Sequence, residues 1–135
     1  MKQVRELKKE LGSRYVFERL LSERDVRRLM KLNPKLFEMK TVLSLAAGCV
    51  KIELVLYPKR GKLTLGYDLF VKDSPESQEW ICYESLDCLD NTISFRERDI
   101  LSVLDSLVQE KGLSYTKCCF EKLNGKILNK KTETA

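Results

Sequence analysis

The sequence predicts an α+β fold: N-terminal short helices, a three-stranded antiparallel meander with a candidate fourth strand, and one long capped helix packed on the sheet. Two patterns carry this. Over residues 50–56 and 63–71 apolar positions alternate with polar ones, the period of half-buried strands. Over 94–112 the apolar positions recur at three and four, the period of a helix with one buried face. Helices gathered on one side of an antiparallel sheet satisfy both.

The elements follow in chain order. Val4, Leu7 and Leu11 line one face of a first helix, with Lys8 and Lys9 in its last turn and Gly12 placed to stop it. Residues 15–21 read as one or two further helical turns. Ser22 is an N-cap with Asp25 three residues on, ahead of an apolar stripe of Val26, Leu29 and Met30. Asn33-Pro34 is a second start signal, because proline is tolerated at the first helical position. Residues 35–47 read as helix stopped by Gly48, with an early strand entry as the alternative.

The first strand spans 50–56, the second 63–71 and the third 79–85. Residues 57–62 form a hairpin loop in which Gly61 takes the positive φ of a bulged turn. Ser94 and Glu97 form a capping box for the long helix, and Gly112 with Leu113 closes it. Tyr115–Leu123 is the candidate fourth strand, covering an edge that would otherwise pair with a second copy; the chain is thus expected as a monomer or an edge-paired homodimer. One domain is expected over 1–128, with a flexible tail over 129–135.

Composition narrows the function classes. The 135 residues contain no histidine, which removes histidine-based triads and every imidazole metal site. Five cysteines, Cys49, Cys82, Cys88, Cys118 and Cys119, form no Cys-x-x-Cys pair and read as free thiols of a cytoplasmic protein. Residues 1–11 hold no apolar run, and the longest apolar stretch, 41–50, falls well short of the roughly 20 residues of a bilayer span. No membrane contact, cofactor or metal is expected.

Charge is segregated. Residues 1–40 hold twelve Lys/Arg against six Asp/Glu, whereas residues 74–110 hold two against nine. The acidic middle nominates Asp73, Glu76, Glu79, Glu84, Asp87 and Asp90 as a surface for a protein partner with a basic face, reached by electrostatic steering. The expected function is therefore that of a non-catalytic interaction protein. Nucleic-acid binding is the alternative, through Arg24, Arg27 and Arg28 on a helix and Lys59, Arg60 and Lys62 on a hairpin tip. A small enzyme is a third class, requiring Glu84, Asp87 or Asp90 to converge on a pocket, or a thiol to be activated. Ser114-Tyr-Thr-Lys117 matches a serine–lysine motif, but it follows a helix stop where that motif needs a helix start. Of the strand aromatics, Phe70 falls on the wetter face with Gly66, Asp68 and Lys72 and marks a contact surface.

The order helix–strand–strand–strand–helix over roughly residues 34–112 resembles that of double-stranded-RNA-binding domains, which implies RNA contact. The resemblance departs at two places. The second helix opens Ser94-Phe-Arg-Glu-Arg-Asp99 rather than with a basic cluster, and the family's histidine-containing hairpin has no counterpart. The order is also similar to that of small phage and mobile-element proteins that block nucleic-acid-handling enzymes, anti-CRISPR inhibitors among them. That likeness implies an accessory or inhibitor acting through an acidic surface.

Overall fold

The computed structural model describes residues 3–87 and 93–118. Helix α1 (Val4–Leu11) buries Leu7 and Leu11, and Gly12 at φ 56° ends it by returning its N–H to the Lys8 carbonyl. Tyr15–Arg19 is not helical; it is strand β1, with Tyr15 and Phe17 turned to the core and Val16 and Glu18 to the other side. Helix α2 (Glu23–Leu29) starts as its sequence predicts, the Ser22 Oγ accepting the Asp25 N–H at 3.1 Å. Asn33 likewise accepts the Lys35 N–H, but the result is a single 3₁₀ turn over Pro34–Leu36.

The helix expected over 35–47 is replaced by strand β2 (Lys40–Ala47). Strands β3 (Val50–Lys59), β4 (Lys62–Val71) and β5 (Ile81–Asp87) complete a five-stranded antiparallel sheet in chain order. The three-stranded expectation therefore missed two strands at its N-terminal side, and the strand expected at an edge, β3, lies in the centre. The order resembling RNA-binding domains also fails, because a strand stands where that order needs its first helix. The loop expected over 57–62 shrinks to Arg60-Gly61, both at positive φ, with Lys59 paired to Lys62. Two positive-φ residues make a turn whose twist matches that of the flanking strands. The strand expected over 79–85 begins two residues later and carries a register shift opposite Leu69/Phe70.

Helix α3 (Glu97–Glu110) takes Arg96, not Ser94, as its N-cap; Ser94 instead accepts the Arg96 N–H and donates to the Asp99 carboxylate. Its end is a Schellman motif, with Leu113 N–H bonded to Val108 O and Gly112 N–H to Gln109 O. No strand forms over 115–118, and residues 119–123 of the candidate fourth strand lie outside the described residues, as does the tail.

Helices α1, α2 and α3 lie on one face of the sheet. One buried cluster joins Leu7 and Leu11, Val26, the inward residues Val50, Ile52, Leu54 and Leu56, and Ile100, Leu101, Leu104 and Leu107. No helix among the described residues covers the opposite face, which presents Lys51, Glu53, Asp68 and Phe70. Among the described residues no helix is long and apolar enough to cross a membrane.

Candidate functional site

The acidic set does not come together. Glu84 faces the helices and pairs with Lys111, whose ammonium its hydrogen bond holds charged, raising the Lys111 pKa above the usual lysine value. Asp87, three residues along the same strand, faces the open side, where the Tyr57 hydroxyl and the Lys59 ammonium both donate to its carboxylate. Asp73, Glu76 and Glu79 remain exposed on the β4–β5 loop. Asp90 lies outside the described residues. Asp99 is held by Ser94 and by Arg96 at 3.5 Å, away from all of these.

The basic set divides into an α2 group on the helix-covered face and a hairpin-tip group on the open face. Arg24, Arg27 and Arg28 all stand exposed on α2, opposite the buried Val26. Arg27 is tied to Glu23 at 2.9 Å, whereas Arg24 and Arg28 have no ion pair among the described residues. Helix α2 lies over Leu65, toward the hairpin-tip end of the sheet, while Lys62, an odd number of residues away on the same strand, turns to the open face. Arg60 and Lys62 are exposed at that tip, and Lys59 is engaged with Asp87. Residues 23–40 add Lys31, Lys35 and Lys40, giving six Lys/Arg against three acids.

Between α2 and the segment leading into α3 runs a groove of about 520 Å³, lined by Val26, Arg27, Met30, Lys31, Leu65, Ile93 and Phe95. Its floor is apolar and its α2 rim is cationic. Next to α2 the chain exposes Leu32 at 52%, Leu36 at 87% and Met39 at 61%, large apolar side chains left in water. Sequence reasoning singled out none of these three; Leu36 and Met39 fell in the segment 35–47 that read as helix. Exposed apolar residues grouped in one segment mark a contact surface more than scattered ones do.

On the open sheet face Phe70 lies where its alternation places it, with the Lys51 ammonium 4.7 Å from its ring centroid. Trp80 is flanked by Lys51 at 5.0 Å and Lys72 at 4.6 Å. These cations occupy the ring faces and draw on their negative quadrupole. Lys51 is also paired to Glu53 at 3.5 Å, so the patch is largely balanced.

Two tyrosines are tuned by burial. Tyr15 donates to Glu97 at 2.7 Å and Tyr115 to Asp105 at 2.8 Å; desolvation first, then the carboxylate, pushes both phenols well above the usual tyrosine value. Both bonds are structural, tying β1 and the segment after α3 to that helix. Ser114 accepts the N–H groups of Thr116 and Lys117, a turn rather than a serine–lysine dyad. No group of three metal-ligating side chains occurs among the described residues. Neither a protein-family model, nor a curated protein, nor a solved structure matches this chain.

Proposed function

We propose that the chain is a non-catalytic, cytoplasmic interaction protein that holds another protein with the basic end of its sheet. The observation that carries this is the apolar-floored groove with Arg27 and Lys31 on its rim, continued by the exposed Leu32, Leu36 and Met39. A partner offering apolar anchors ringed by carboxylates complements it. The anchors supply burial, and the rim charges set encounter rate and register. An accessory or inhibitor role toward nucleic-acid-handling machinery is compatible with such a surface, and the exposed Asp73, Glu76 and Glu79 loop is the place for a basic partner if one is bound.

Direct nucleic-acid binding is the second reading, supported by Arg24, Arg28, Arg60 and Lys62 standing exposed at the same end. Phosphate contact alone gives no use to three exposed apolar side chains, which is why the protein reading ranks first.

A photo-crosslinking residue placed at Leu36, at Glu76 or at the exposed Ser106 of α3, in the full chain in its native cell, separates these readings. A protein adduct from position 36, lost when Arg27→Glu and Lys31→Glu are combined, is expected. Adducts only from position 76 would transfer the function to the acidic loop. A gel shift of nucleic acid at low salt that weakens steeply with added salt, without a protein adduct, would establish the second reading instead.

A further inference from the structure

We propose that Cys49 and Cys118 are a site of reversible oxidation, closed to a disulfide by a low-molecular-weight disulfide such as oxidised glutathione. Both are thiols in the structure, and their Sγ atoms lie 2.9 Å apart although 69 residues separate them in the chain. A disulfide needs about 2.05 Å, so less than one ångström of approach joins them.

The surrounding backbone holds the pair in place. Cys49 sits in the β2–β3 turn, and its N–H donates to the Tyr115 carbonyl at 2.8 Å, three residues before Cys118. Gly48 lets that contact occur: a Cβ there would stand 1.9 Å from the same carbonyl oxygen. The Tyr115 ring is buried and its hydroxyl fixed on Asp105, so the segment leading to Cys118 is anchored at two points. Both sulfurs are thus positioned by groups other than themselves.

The two thiols divide the work. Cys118 is partly exposed and accessible to a small oxidant, whereas Cys49 is fully buried. The Cys118 thiolate attacks one sulfur of oxidised glutathione, forming a mixed disulfide and expelling one glutathione thiolate. The Cys49 thiolate then attacks the Cys118 sulfur, expelling the second. Two cysteine protons pass to the two leaving thiolates, and two electrons reduce one glutathione disulfide to two glutathiones. The Arg14 Nη2, 3.6 Å from the Cys49 sulfur, supplies a cationic donor to the buried nucleophile. Closure fastens the chain after α3 to the β2–β3 turn, and a reducing thiol releases it.

The adjacent Cys119 requires a background in which it cannot substitute. The full chain carrying Cys82→Ser, Cys88→Ser and Cys119→Ser is incubated with oxidised glutathione, quenched with acid, alkylated in denaturant and mapped without reductant. The expected result is one peptide pair joining Cys49 to Cys118, two thiols lost and both restored by dithiothreitol. In the further variant Cys118→Ser, which alters a partly exposed position, Cys49 stays alkylatable. Glutathione remaining on Cys118 with Cys49 still a free thiol would overturn the proposal. So would persistence of both thiols while the same oxidant modifies the exposed Cys82 of the unsubstituted chain.

Discussion

Removing one hydroxyl, in Tyr115→Phe, tests the polar heart of the core. Asp105 is 3% exposed and is the one buried charged side chain among the described residues. Its carboxylate accepts from the Tyr115 hydroxyl at 2.8 Å and from the Gln109 amide at 2.9 Å. Phenylalanine fills the same apolar space, so the loss is the hydrogen bond and the desolvated oxygen it leaves behind. A hydrogen bond to a charged group contributes about 1.5–3 kcal/mol, and leaving its buried partner unsatisfied falls in the same range. At a urea m-value of about 1.5 kcal/mol/M the unfolding midpoint drops by about 1–2 M, with the slope unchanged. The double variant Asp105→Leu/Tyr115→Phe removes both partners and recovers part of the loss, because no buried acceptor is then stranded. A loss below about 0.5 kcal/mol, the range of a surface substitution, or strict additivity of the two changes would refute the reasoning.

Three further outcomes are expected. Tyr15 and Tyr115 both have folded-state pKa values above the ordinary 10.0. Their contribution is fully present below pH 10 and declines as pH rises above it, because the unfolded chain's phenols then ionise first. Between pH 9 and 11 stability should fall by about 1.4 kcal/mol in total for each tyrosine, most of it above pH 10, and by less in Tyr115→Phe, as urea titrations over that window will read. Gly48→Ala combines a φ of +66° with a Cβ 1.9 Å from the Tyr115 carbonyl oxygen, and should lose about 3 kcal/mol or more by thermal unfolding. Leu32→Ser with Met39→Ser should leave stability within about 0.5 kcal/mol while abolishing the position-36 crosslink; a large loss of stability would instead make these residues part of the core.

Elements set by neighbouring residues were legible in the sequence. The Ser22 cap, the Gly12 stop, the Schellman end at Gly112 and the alternation of β3 and β4 all depend on contacts within a few residues. Strands β1 and β2 were not, for a different reason each. In Tyr15–Leu21 the apolar residues Val16, Phe17, Leu20 and Leu21 also fit a helical stripe, and pairing of Tyr15 to Ala47 through Arg19 to Leu43 decides for strand. In β2 a register shift between Thr41 and Leu43 places Val42, Leu43 and Leu45 all in the core, which breaks the period-two pattern. The leucines and alanines of that strand are good helix formers, and tertiary pairing overrides them.

The same geometry explains why the strand-borne acids scattered and the helix-borne arginines gathered. Glu84 and Asp87 are three residues apart, a spacing that stacks side chains on one face of a helix. On a strand, successive side chains alternate, so an odd separation sends them to opposite faces. Glu84 accordingly meets Lys111 beneath the sheet while Asp87 meets Tyr57 and Lys59 on the open side. Arg24, Arg27 and Arg28 have spacings of three and four on α2, where those intervals do bring residues together. A charge cluster read from sequence is therefore only as sound as the period of the element that bears it, and here the helix-borne arginines form the surface while the strand-borne acids are divided between two.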